Sequence, residues 1–129
     1  MNINQPAYKV IAFAAFLLMI AVALGAFGSH GLKARVGDYE LSVWNTAVLY
    51  QLIHSLGAMV ISLIHCFNNK RIFLTAAALM LLGSVIFSGS LYILVLSGKH
   101  WLGAITPVGG FLFIVSWLLV VIAAIKVNK

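Results

Sequence analysis

The chain has 129 residues, 64% of them hydrophobic and 8% charged, so it lacks the charged quarter with which a soluble domain solvates its surface. Its net charge of +6 comes from eight Lys and Arg set singly or in pairs at the ends of apolar runs, a pattern that flanks membrane spans and builds no phosphate-binding patch, so no nucleic-acid partner is expected. The one cysteine, Cys66, rules out an internal disulfide and CxxC redox chemistry.

In lipid only helices and closed barrels satisfy their backbones, and long apolar runs without strict alternation select helices. A first span is expected over about 6–28, with Pro6 in the first turn, where a missing N–H costs nothing, and Lys9 at the interface. That run is longer than a signal-peptide core and its leading residues are nearly uncharged, so it reads as a retained helix. A polar link over 29–42 holds both acids, Asp38 and Glu40. The second span covers about 40–66 and ends at the turn "FNNKR", and the third covers about 72–97. The segment "GKHWLGAI" leads to a fourth span over about 107–126, with Thr106 as N-cap and Pro107 in the first helical position.

Nothing is left over for a soluble domain. Residues 1–129 read as a single transmembrane domain, an all-α integral membrane four-helix bundle. Lys9, Lys70, Arg71, Lys126 and Lys129 fall at one end, against Lys33, Arg35 and Lys99 at the other, which places the N- and C-termini in the cytoplasm. "GSHGL" after the first span and "GKHWLG" after the third echo each other, as duplicated hairpins or chance would produce.

The second span carries the polar signal. At 100° per residue, Trp44, Ala47, Tyr50, Gln51, His54, Ser55, Ala58, Ser62 and His65 share an arc of roughly 140°, while Leu49, Leu52, Ile53, Leu56, Val60, Leu63 and Ile64 fill the opposite face. The leucine face is expected to meet lipid and the polar arc to meet other helices. Small residues elsewhere are expected at helix contacts: Ala14, Ala21, Gly25 and Gly28 in the first span, Gly83 and Ser84 in the third, Gly109 and Gly110 in the fourth. His54 falls near mid-bilayer with Ser88 at a similar level, and His30, Tyr92, His100 and Thr106 fall near the outer boundary. An outward-facing polar pocket is therefore expected, lined by His30, Tyr50, Gln51, His54, Ser88, Ser90, Tyr92 and Thr106.

Each of these residues also has a plainer reading. His54 is a proton relay or ligand-binding group, or else a neutral histidine bonded to Tyr50 one turn earlier or to Ser88 across the interface. The start of the fourth span is an anion site reinforced by Lys99 or His100, or else an ordinary capped helix end. His65 reads as interfacial.

No carboxylate lies within a span, and no metal-spacing cluster, nucleotide loop or acid-completed triad is present, so neither metal, cofactor nor catalytic residue is expected. Three function classes stay open. The first is a non-enzymatic membrane protein whose pocket binds a small ligand or lipid headgroup, or forms part of a passage. Its short chain then points to a homo-oligomer. The second is an assembly or stabilising partner of a larger membrane complex. The third is a membrane enzyme working on a lipid or quinone through Tyr50 and His54.

"LGAFGSHGL" (24–32), Trp44-Asn45-Thr46 followed by Tyr50-Gln51 and His54, "FSGSLYILVLS" (87–97) and "ITPVGG" (105–110) with Phe113 and Trp117 resemble the bacterial inner-membrane family named domain of unknown function 423, or uncharacterised protein family 0382. The resemblance covers essentially the whole chain, departing in Ser29 where the family more often has alanine. It implies a multi-pass, four-helix protein of the cell inner membrane and brings no established reaction. The motif segments coincide with the expected pocket residues, together with Pro107.

Overall fold

The computed structural model describes residues 5–127, the last by its backbone alone. Lys129, counted above with the more basic end, lies outside the described residues. Four helices span the chain: α1 (Gln5–Phe27), α2 (Asp38–Asn68), α3 (Arg71–Ser97) and α4 (Thr106–Val127). Each is long and apolar enough to cross a membrane, and among the described residues there is no strand. The protein is an all-α, multi-pass membrane bundle.

The link expected over 29–42 is mostly helical. α1 runs directly into a π-helical turn, Gly28–Leu32, and α2 begins at Asp38, so only a few residues connect them. Asp38 and Glu40 lie in the first turn of α2, where the helix dipole favours negative charge. Just before the π turn, the Leu24 carbonyl accepts the Trp44 indole N–H at 2.8 Å. The Trp44 ring, fully buried, presses on Gly28, where an added Cβ would come within 2.7 Å of it.

The turn between α2 and α3 is closed by its asparagines. Asn69 is left-handed, at φ 56°, and its N–H bonds the His65 carbonyl, while the Asn68 side-chain oxygen accepts the Lys70 N–H. His65, read from sequence as interfacial, is buried here, and its Nδ1 donates to the Lys70 carbonyl at 3.0 Å. α3 ends on Gly98 at φ 71°. A 3₁₀ segment, His100–Ala104, then feeds α4. Thr106 is consequently not a free N-cap. Its hydroxyl turns to Ser90 and to the Leu102 carbonyl, and the Val108 N–H is taken by Ile105, so α4 does not open with a turn of free donors for an anion.

α2 and α3 form the central antiparallel pair. α1 packs mainly on α2, α4 packs mainly on α3, and the α2 and α4 backbones stand apart. One core, toward the α2–α3 turn, draws on all four helices, with Ala14 and Leu17, Ala58 and Ile61, Phe73 and Met80, and Ala123. A second core, toward the π turn, joins Leu32, Trp44, Leu91, Tyr92 and Leu102. Ala14, Ala21 and Ser84 are buried, and Gly25 lies against Val48. The α3–α4 crossing is closest at Gly83 and Gly109, where a Cβ on Gly109 would lie 2.5 Å from the Phe87 nitrogen and 2.8 Å from the Gly83 carbonyl. Gly110, one residue on, would meet only the Phe87 ring, at 3.8 Å. On α2, Leu49, Ile53, Leu56, Val60, Leu63 and Ile64 are exposed and form the lipid face, whereas Leu52 is half-buried against the second core.

Candidate functional site

The polar arc of α2 is divided between neighbours. Toward α1, the buried Gln51 donates to the Leu17 carbonyl at 2.8 Å and accepts the Tyr92 hydroxyl at 2.7 Å. Tyr92 in turn packs on Trp44, ring centroids 4.7 Å apart. Gln51 and Tyr92 thus clamp α1, α2 and α3 together, with their polar atoms spent on protein. Ser88 donates to the Ala47 carbonyl at 2.6 Å and pins α3 to α2. The Ser90 and Thr106 hydroxyls lie 2.6 Å apart and join α3 to the start of α4. His30 is exposed on the π turn. His100 is exposed as well, its ring 6.4 Å from that of Tyr39. Among the described residues no three His, Cys, Asp or Glu side chains gather where a metal could sit. The Ser55 and Ser84 hydroxyls are buried without a hydrogen bond.

Of the eight residues expected to share one pocket, the structure brings Tyr50 and His54 together on a different side of α2 from Gln51. There the gap between α2 and α4 forms a groove of about 500 Å³, floored by Phe87 of α3 and walled on α4 by Pro107, Gly110, Phe111, Phe113, Ile114 and Trp117. The gap exists because glycines hold α4 tightly to α3 while large side chains hold it off α2: the His54 ring stacks on Phe113 at 3.5 Å and 12°, and Trp117 reaches over Gly57. Tyr50 stacks on Phe87 at 4.6 Å. Phe111 and Trp117 are both exposed toward the bilayer, so the groove is reached sideways from lipid.

His54 is the groove's one ionisable side chain apart from the Tyr50 phenol, and it is only 6% exposed. Its Nδ1 lies 2.8 Å from the Tyr50 backbone carbonyl. A carbonyl only accepts, so Nδ1 carries the proton. Both acids of the chain lie in the first turn of α2, about 20 Å or more along the helix, so no acidic side chain nearby balances a charged ring. In the neutral ring Nε2 presents a lone pair. Nε2 makes no hydrogen bond to any described residue and is not sealed in the interior, which leaves it open to the groove that His54 lines. The site is an aromatic slot with one directed acceptor. Its polar side chains are the His54 imidazole and the Tyr50 phenol, whose stacked rings have centroids 5.7 Å apart.

Sequence reasoning missed Phe87, Phe111 and Ile114 as groove residues, used Phe113 and Trp117 only as motif marks, and named Pro107 both as the first helical position and beside the expected pocket. A signal was present in α4, whose Pro107, Gly110, Phe111, Ile114 and Trp117 recur at helical spacing. In a helix apolar all round, that stripe looks the same as a lipid face.

The sequence model of a family described as "Protein of unknown function (DUF423)" matches residues 24–110, which take in the π turn, α2, α3 and the start of α4 with Pro107 and Gly110. The chain is 46% identical over 117 residues to the UPF0382 membrane protein YwdK of Bacillus subtilis (strain 168), covering 90% of this chain and 95% of that one. It is 47% identical over 116 residues to the UPF0382 membrane protein SERP0230 of Staphylococcus epidermidis, covering 90% and 94%. No solved structure matches it significantly.

Proposed function

This chain belongs to the DUF423 family and is a multi-pass membrane protein, and we infer that it binds an uncharged, bilayer-soluble small molecule in the lateral groove between α2 and α4. One observation carries the reading: a histidine more than nine-tenths buried presents an unpartnered ring nitrogen to an aromatic slot reached from lipid. An ionisable group within a span is costly to keep there, and a site with few convergent polar atoms amid aromatic walls is how proteins hold apolar ligands. Elsewhere on the polar arc, Trp44 and Gln51 have their polar atoms bonded to neighbouring helices.

The host membrane on this reading is the cytoplasmic one, with both termini inside. Lys9, Lys70, Arg71 and Lys126 support this, and Lys70 Nζ lies 3.3 Å from the Lys126 carbonyl, which brings the α2–α3 turn and the end of α4 to one side. The groove then runs from the outer boundary at Pro107 inward to Trp117, a span of about 15 Å on α4.

The test is native mass spectrometry of the purified full chain. A non-phospholipid mass should accompany the wild type and be lost from Gly110→Phe, whose side chain fills the slot. Retention of the same ligand by the variant refutes the reading.

A further inference from the structure

The geometry points to an alcohol: the occupant of the groove is an uncharged lipid whose polar head is made of hydroxyls, phenolic as in a quinol or aliphatic as in an isoprenol, one of them donated to His54 Nε2. This deepens the binding reading above and rests on it. Two observations on the molecule select the class.

The first is polarity. The Nδ1 proton is held by the Tyr50 carbonyl, so Nε2 can only accept. A hydroxyl satisfies it. A ketone, ester, ether or oxidised quinone sets lone pair against lone pair, and the only acids of the chain, Asp38 and Glu40, are at the outer end of α2, too far to charge-balance a doubly protonated ring.

The second is depth. His54 lies about 24 Å along the helix from Asp38 and about 21 Å from Asn68, which puts it near the middle of a hydrocarbon layer roughly 30 Å thick. A phospholipid head is anchored about 15 Å away at the surface, and only its tails could enter the inner groove. A molecule whose head can itself sink to mid-membrane meets Nε2, and a hydroxyl head on a hydrocarbon can do so. Aromatic walls on both sides of the slot (Phe87 and Tyr50, Phe113 and Trp117) suit a flat ring or a branched isoprenoid chain.

The test uses the full chain in nanodiscs and a diazirine-bearing farnesol as photolabel. Competitors are a reduced benzoquinol with a ten-carbon tail, its oxidised quinone, farnesol, the dimethyl ether of the quinol and the methyl ether of farnesol. The label is expected on the α4 segment from Pro107 to Trp117. Quinol or farnesol should compete at least ~10-fold better than the ethers and the quinone, and His54→Phe, which keeps a flat ring on Phe113, should erase that preference while leaving ether competition unchanged. The better of the two alcohols distinguishes a phenolic from an isoprenoid head. Equal competition by alcohols and ethers on the wild type overturns the hydroxyl inference and leaves the groove standing, and this comparison needs no variant to fold. Labelling that falls elsewhere, or that survives Gly110→Phe, overturns the groove reading itself.

Discussion

Replacing Gly109 by alanine adds one methyl group where α3 and α4 touch backbone to backbone. The new Cβ would lie 2.5 Å from the Phe87 nitrogen, 2.7 Å from its Cβ and 2.8 Å from the Gly83 carbonyl oxygen. Ordinary contact begins near 3.5 Å, so the helices must part by about 1 Å, and neither obstructing group is the movable end of a side chain. Overpacking of this kind costs about 1–3 kcal/mol, and a main-chain clash belongs at the upper end. Alanine returns about 0.5–1 kcal/mol of helix propensity, leaving a net loss of about 2 kcal/mol. Gly89→Ala, with nothing within 4 Å of the new Cβ, should take the propensity gain alone. Gly110→Ala should behave similarly, since its Cβ meets the Phe87 ring at an ordinary 3.8 Å. Unfolding by SDS titration, followed by tryptophan fluorescence, measures all three. The same 1 Å shift should loosen the Phe113–His54 stack and weaken groove binding. Gly109→Ala as stable as Gly110→Ala would refute the close α3–α4 crossing from which the groove is built.

Gln51→Leu should cost about 1–2 kcal/mol in the same titration, because it leaves the buried Tyr92 hydroxyl without its acceptor. The double variant with Tyr92→Phe should lose less than the single changes added together, and strict additivity would mean that the clamp carries no energy. Asn69→Ala should cost about 1 kcal/mol and Asn69→Gly nothing, since φ 56° suits asparagine and glycine but not alanine. Equal stabilities in this pair would mean that the α2–α3 turn does not hold its left-handed residue. Cys66, buried and 2% exposed, should resist a membrane-permeant maleimide until SDS is added. In a Cys66→Ala background, a cysteine at Asn69 should react only from the cytoplasmic side; labelling from outside would invert the topology.

The four spans were legible because hydrocarbon thickness sets a length that the apolar runs plainly meet. The α2–α3 turn was legible because Asn68 and Asn69 are residues that end helices. The connections at the opposite end were harder. Composition over 29–42 says loop, yet residues 28–32 continue as a π turn and α2 starts at Asp38. At a membrane boundary polar side chains and helical backbone coexist, since side chains reach water while the backbone keeps its own bonds. Thr106-Pro107 marked the start of α4 at Thr106, but not the cap, since the Val108 N–H is taken by the Ile105 carbonyl and the Thr106 hydroxyl turns to Ser90.

The polar arc shows most clearly where a helical wheel stops. Gln51 and His54 sit about 60° apart around α2, close enough to share one polar face on paper. A single helix cannot reveal which neighbour occupies which part of that face. With α1 against Gln51 and α4 facing His54, the glutamine became a structural clamp and the histidine kept a nitrogen free. The difference traces to partners with no polar mark at all: a main-chain carbonyl at Leu17 on one side and the Phe113 ring on the other. A carbonyl saturates the side chain it meets, whereas an aromatic ring covers the face of an imidazole and leaves its edge unbonded. On the binding reading, His54 Nε2 is free because the α4 side chain against its face is phenylalanine. Phe113→Leu, which removes the ring that holds the imidazole face, should weaken alcohol competition, while His54→Phe erases its preference.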